Sequence, residues 1–320
     1  MSAGLITQDE AVLQSAPRTA TIVTASAQPV VQETAGRWTD YLELTKPRIA
    51  VLELVTVALS AFVARWMFPD VTLLAWLLTG TALVAAGASA WNQWLEIGTD
   101  LRMRRTAGRP LPAGRLTPRQ VATFGLVTTV AGVVVLAAMV NPLTALFGFG
   151  TWFLYVVVYT PMKRTTPLNT VVGAVAGAMP VLMGWAAVEG HATLSIAALC
   201  MIVFLWQFPH FMAIAWIYRE QYARAGLQML TVVDPSGRRA GAQAVLTALM
   251  LIPISLLPSV VDGAGSLYFC WALVLGLAQL ACAVRFMLRL DEASARVLLR
   301  ASVIYLPSLL LMLMLGPYSK

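Results

Sequence analysis

Nine apolar stretches, each close to the ~20 residues that a helix needs to cross a bilayer, set what this chain can become. They lie near residues 49–67, 72–95, 119–140, 143–160, 168–188, 193–216, 241–261, 266–288 and 297–315. In lipid every backbone N–H and C=O must be paired internally, and the strict alternation of barrel strands is missing, so the chain is read as all-α. Composition agrees, with 59% of residues hydrophobic, 12% charged and a mean hydropathy of +0.75, outside the range of soluble domains. The expected architecture is a polytopic membrane protein with nine transmembrane helices in the lipid bilayer.

A net charge of +7 and a pI near 9.7 would suit a nucleic-acid binder, but the placement of the charge argues for no nucleic acid. Of the 22 lysines and arginines, only Arg65 and Lys320 fall outside the amino-terminal region and the loops after the even-numbered helices. By the positive-inside rule the amino terminus and those loops are cytoplasmic and the carboxyl terminus is outside. A multi-pass protein of the bacterial plasma membrane is expected. Residues 1–37, rich in Ala, Thr, Ser and Gln, read as a disordered cytoplasmic tail, and 38–320 as the transmembrane domain. Trp38, Tyr41 and Lys46-Pro47-Arg48 mark an interfacial approach to the first span. Cys200, Cys270 and Cys282 lie within spans without ligand-type spacing and are read as packing residues.

The second span ends in polar residues four apart: Asn92, Glu96 and Asp100. On a helix each step of four turns a side chain by only ~40° and climbs ~6 Å, so the three form one stripe. Such a stripe can hold a hard divalent cation, since magnesium takes one or two carboxylates and completes its octahedron with water and phosphate. The alternative is an ordinary solvated helix end, but acids there face the negative end of the dipole and call for a compensating cation. Arg102, Arg104, Arg105 and Arg109 follow at once, and Lys163 and Arg164 return at the same membrane level. Together they point to a magnesium-bound diphosphate, with lysine as point charge and arginine as fork. Gly173, Gly177 and Gly184 are read as sites of close helix approach. In Trp206-Gln207-Phe208-Pro209-His210-Phe211 a lone histidine in an apolar helix reads first as a hydrogen-bonded packing residue, but here the proline frees carbonyls, and Gln207 and His210 would open a polar pocket below the membrane surface. His191, in a short outer loop, has no expected catalytic role; Glu53 is either a functional group facing the bundle interior or protonated in place.

These pieces in this order resemble the UbiA-type intramembrane prenyltransferases, and within them the branch that farnesylates heme. The resemblance rests on Leu44-Thr45-Lys46-Pro47-Arg48-Ile49, Asn92 through Pro110, Tyr159 through Asn169, Gly177-Ala178 with Pro180 and Gly184-Trp185, and Trp206 through Phe211, covering roughly residues 40–230. It implies helices around a central cavity, Mg2+ as cofactor, farnesyl diphosphate as donor and protoheme IX as acceptor, with heme A synthase or terminal oxidase assembly as further partners. Carried over, Asn92, Glu96 and Asp100 match the metal and diphosphate motif, and Arg105, Arg109, Lys163 and Arg164 the basic positions beside it. Asp100, Arg109 and Lys163 are then the catalytic set. Asn169, Gln207 and Glu220 join the substrate contacts, and His210 matches the histidine of the heme-acceptor branch. One departure stands out: where the family places Asp before Tyr222, this chain has Gln221, so either Glu220 substitutes or a second metal site is weakened. Two competing readings are a sister enzyme prenylating an aromatic quinone precursor and an organic-anion transporter. The Trp206–Phe211 run disfavours the first, and the short, nearly uncharged outer loops disfavour the second.

Overall fold

The computed structural model describes residues 37–188, 193–261 and 264–315. The expected tail, Arg37 apart, and His191 lie outside them. The described residues form α1 (Trp38–Leu44), α2 (Pro47–Val63), α3 (Val71–Asp100), α4 (Pro118–Met139) and α5 (Pro142–Phe153). A π-helical turn, Leu154–Tyr159, carries α5 into the short α6 (Thr160–Met162). There follow α7 (Asn169–Ala187), α8 (Leu194–Ile217), α9 (Arg219–Arg224), α10 (Leu230–Val233), α11 (Arg238–Val261), α12 (Gly265–Arg289) and α13 (Glu292–Leu315). The all-α expectation holds, with no strand among the described residues. Eight of the nine expected spans are apolar helices of 19 to 30 residues, counting α5 to α6 as one. The remaining span is α2, whose 17 residues reach only ~25 Å. Its beginning at Pro47 keeps Lys46 out of the helix, which matters for the site.

Local chemistry sets several starts. Asp70 caps α3 by accepting from the amides of Thr72 and Leu73 at 2.9 and 3.1 Å. Thr117 and Gln120 close a reciprocal capping box over α4, with Pro118 in the first turn. Asn141 accepts from the Thr144 amide at 2.8 Å to start α5. These side chains satisfy amide donors that a helix start leaves unpaired.

Packing between helices relies on small residues, because lipid supplies no hydrophobic drive for helix association. In α3 and α4, Gly80, Gly87 and Gly132 interlock: a Cβ on Gly87 would lie 2.1 Å from the Thr129 hydroxyl, and one on Gly132 2.7 Å from the Val84 nitrogen. Gly184 of α7 meets α2 so closely that a Cβ would sit 2.2 Å from the Val57 carbonyl oxygen. Ser60 beside it donates to the Val181 carbonyl. Unlike a soluble domain, the bundle is apolar on its outside as well as in its core. Leu126, Val130 and Val134 of α4, Leu246 and Met250 of α11 and Val274 of α12 are exposed on its outside, while Thr81, Asn92, Gln93, Glu96 and Asp100 are buried within.

The α2–α7 contact gives a direct test. Gly184→Val must push the two helices apart and should lower the detergent-solubilised protein's thermal midpoint, at a cost of about 1–3 kcal/mol. Gly98→Ala, where a Cβ meets nothing within 4 Å, should leave it unchanged. Equal midpoints for both variants would contradict the packing described.

Candidate active site

At 30 residues α3 is ~45 Å long, well beyond the ~30 Å apolar core of a bilayer. At least one of its ends must therefore extend past that core unless the helix tilts, and its last turns carry the polar stripe. Asn92, Glu96 and Asp100 are only 1%, 7% and 0% exposed. A solvated helix end is excluded: these are buried groups, and each has found a partner from elsewhere in the chain.

The partners come from three different elements. Lys46, just before α2, donates from Nζ to Asn92 Oδ1 at 2.9 Å. Lys163, just past α6, donates to Glu96 Oε1 at 2.8 Å. Arg109, in the loop between α3 and α4, donates from Nη1 to Asp100 Oδ2 at 2.7 Å. The Asn92 amide donates onward to Thr160 Oγ1 at 3.1 Å, tying the stripe to α6. Lys46 holds φ at 52°, the left-handed region, a strain of order 1–3 kcal/mol for a residue with a side chain. That conformation turns its ammonium back onto α3. Burial, with the positive charges of Arg109 and Lys163 nearby, pulls Lys46 down to about 7. Burial alone would also depress Lys163, but Glu96, Tyr159 and Tyr155 override it and hold that ammonium above its usual range.

The π-helical turn adds two tyrosines. Lys163 Nζ sits 4.5 Å from the centroid of the Tyr159 ring, which stacks on Tyr155 at 5.5 Å. Gly173 of α7 makes room for it, since a Cβ there would lie 2.7 Å from the Tyr159 ring. Arg164 donates to the Leu95 carbonyl at 3.0 Å, beside Glu96 in the chain. Arg105 lies 4.6 Å over the Tyr218 ring and donates to the Tyr222 hydroxyl at 3.3 Å. Its amide also donates to Gln221 Oε1 at 3.4 Å, so the residue that departs from the family pattern fastens the α3–α4 loop to α9.

The other expected site residues are placed differently. Asn169 is buried and donates to the Thr166 and Gln228 carbonyls, holding two loops together at the same end of the bundle. Gln207 donates to the Ala174 carbonyl at 3.0 Å and crowds Gly177, joining α8 to α7. Glu220 is exposed and pairs with Arg224 at 3.4 Å. His210 stacks on Trp206 at 5.1 Å, and its Nδ1 lies 2.9 Å from Ser302 Oγ of α13. That hydroxyl also lies 2.7 Å from the Leu299 carbonyl, a geometry consistent with Nδ1 donating to it and the lone pair resting on Nε2. Glu53 is half-buried. Lys46 and Tyr155 were not among the expected site residues. The signals available were a lysine that precedes a helix-starting proline, and the four-residue spacing of Tyr155, Tyr159 and Lys163.

The stripe suits a metal that shares its coordination with a ligand. Among the described residues no three carboxylate, histidine or cysteine groups gather into a cage. Asp100 Oδ1 is buried without a hydrogen-bond partner, an acceptor left open beside a second carboxylate and an amide. Two carboxylates are what magnesium asks of a protein when phosphates supply the rest.

A membrane bundle with a buried carboxylate stripe clasped by lysines and arginine has the form of an anion-handling intramembrane enzyme. The pattern of the UbiA prenyltransferase family matches residues 54–309. The chain belongs to that family. It is 47% identical over 277 residues to the protoheme IX farnesyltransferase of Solibacter usitatus, covering 84% of this chain and 95% of that protein. To the protoheme IX farnesyltransferase of Koribacter versatilis it is 42% identical over 289 residues, covering 86% and 92%. Its fold is similar to that of a digeranylgeranylglyceryl phosphate synthase, with a TM-score of 0.74 at 15% identity over 87% of this chain and 97% of the other. It is also similar to a UbiA homologue from Archaeoglobus fulgidus bound to DMAPP and Mg2+, with a TM-score of 0.67 at 14% identity over 87% and 98%.

The Arg109–Asp100 pair can be tested without turnover. Removing one partner of a buried ion pair leaves an uncompensated charge, so Arg109→Ala should destabilise the protein by about 3 kcal/mol. Adding Asp100→Asn in the same chain should recover most of that loss. Additive losses, read from thermal unfolding in detergent, would show that the two side chains do not pair.

Proposed function

We infer that the protein transfers the farnesyl group of farnesyl diphosphate to a vinyl group of protoheme IX, with addition of water, giving heme O. The observation that carries this reading is likeness to protoheme IX farnesyltransferases along most of the chain. The carbon–oxygen bond of the allylic diphosphate breaks and diphosphate leaves. The vinyl carbon forms a bond to the farnesyl carbon, and water adds to the resulting carbocation with loss of a proton. No nucleophilic side chain is needed.

The residues' work is electrostatic. Negative charge grows on the leaving diphosphate, and Lys46, Lys163 and Arg109 are already converged where it would lie. Fixed cations in a site screened from water stabilise such charge without reorganising during the reaction. Asn92, Glu96 and Asp100 would hold Mg2+, which when bound neutralises diphosphate oxygens. Arg105 and Arg164 stand beside this set as further phosphate contacts. Asn169 would support it by fixing the loop that carries Lys163, and Glu220 would meet substrate only if it left Arg224. His210 and Gln207 of α8 are assigned to the acceptor side, the histidine with a free Nε2. The apolar interior excludes water from the allylic cation until the new bond has formed. On the positive-inside count, the charge-rich end would face the cytoplasm from the bacterial plasma membrane, where the diphosphate donor would be met. Heme A synthase would take the product on.

Lys46→Met removes a cation without stranding a charged partner, since Asn92 is neutral. It should lower kcat/KM for farnesyl diphosphate about 10- to 100-fold, measured as heme O by mass spectrometry of heme extracts, while size-exclusion behaviour stays unchanged. Asp100→Asn should lose turnover by more than about 100-fold. Wild-type heme O output from both variants would remove the site from this end of α3. A purified protein that prenylates hydroxybenzoate and leaves heme untouched would overturn the acceptor.

A further inference from the structure

A cavity of about 540 Å³ opens between α1, the start of α2 and the α3–α4 loop, within the ~300–1,000 Å³ range of small-molecule sites. Leu42, Pro47 and Ile49 give it apolar walls, and Lys46, Arg48 and Arg109 supply its cations. Two of those cations are committed: Lys46 to Asn92 and Arg109 to Asp100. The one carboxylate on the wall, Glu43, is held by Arg115 at 2.7 Å, and Arg115 also grips Asp40 and donates to the Gly108 carbonyl at 2.9 Å. Arg115 thereby fixes α1 against the loop that carries Arg109, so the walls are set by ion pairs. Arg48, which is exposed, is the one among these charges with neither an ion pair nor a hydrogen bond among the described residues.

We propose that this cavity receives the acceptor, with Arg48 binding a propionate carboxylate of the porphyrin at the outer rim. The inference rests on the function proposed above and adds the acceptor's place and orientation. Charge complementarity supports it: a flat apolar ring bearing two carboxylates on one edge needs an apolar slot with a free cation at its mouth. Orientation supports it as well. The vinyl groups of protoheme lie on the side away from the propionates, so anchoring the carboxylates at Arg48 turns the vinyl side inward. Lys46 and Arg109 are shared between this cavity and the α3 stripe, which brings that side to the donor.

The test uses the full-length protein in detergent with farnesyl diphosphate and Mg2+, supplied with protoheme or with its dimethyl ester, whose carboxylates carry no charge. For the wild type the ester should raise KM about tenfold, the loss of one charge-assisted hydrogen bond. Arg48→Gln should raise KM for protoheme by a similar factor, leave KM for farnesyl diphosphate unchanged, and no longer distinguish the two acceptors. Arg48→Lys should restore much of the discrimination, which separates lost charge from damaged folding. An Arg48→Gln enzyme that still discriminates against the ester, or whose KM rises for farnesyl diphosphate instead, overturns the proposal. A wild type that prenylates neither porphyrin overturns the functional reading itself, and this inference with it.

Discussion

The pairing of the α3 stripe with Lys46, Lys163 and Arg109 is the interaction on which the site depends. Each partner is delivered by a separate feature of the fold: the left-handed residue before Pro47, the segment after the π-helical turn, and the loop beyond Asp100. Glu96 and Asp100 bring two negative charges that Lys163 and Arg109 balance, and Lys46, pulled down to about 7, adds only part of a further positive charge at neutral pH. A bare divalent cation meets no net attraction there. Escorted by a diphosphate, whose charge exceeds its own, the same cation enters favourably. On the proposed function the clasp would favour binding of metal and donor together over a resident metal.

Ion pairs of this kind stand only where both members are held. Glu96 and Asp100 would each be costly alone in so buried a place, and their burial depends on Lys163 and Arg109. The cluster is thus structural, and on the proposed function it is the ligand site as well. Unlike a helix–helix contact between glycines, it has an alternative partner of comparable strength in a phosphate group, so ligand binding can exchange one set of charge-assisted hydrogen bonds for another.

The spans were legible because a membrane helix is specified by its own composition, and each expected stretch corresponds to a helix. The stripe was legible for the same reason: four-residue spacing is a property of one helix. Pairings across the chain were not. Asn92 and Lys46 are 46 residues apart, Glu96 and Lys163 are 67 apart, and His210 and Ser302 are 92 apart. Lys-Pro-Arg reads equally well as an interfacial anchor, because only the left-handed turn at Lys46 aims its ammonium inward. Gln207, read as a pocket residue, is drawn into the α7–α8 contact by the absence of a Cβ at Gly177, a relation no local pattern contains.

The α9 region shows how a neutral side chain can fasten the loop beside the stripe. Glu220 faces outward to Arg224, and Gln221 accepts the Arg105 amide, while Met103 of the α3–α4 loop packs with Tyr222, Ala225 and Leu227. An aspartate at position 221 would also accept that amide, but its charge would compete for the Arg105 guanidinium that now lies over Tyr218 and beside Tyr222. The neutral amide leaves the guanidinium on the two rings. The α3–α4 loop that carries Arg109 is thus tied to α9 through Arg105 without a carboxylate at 221, and the two buried acids of the cluster, Glu96 and Asp100, both belong to α3.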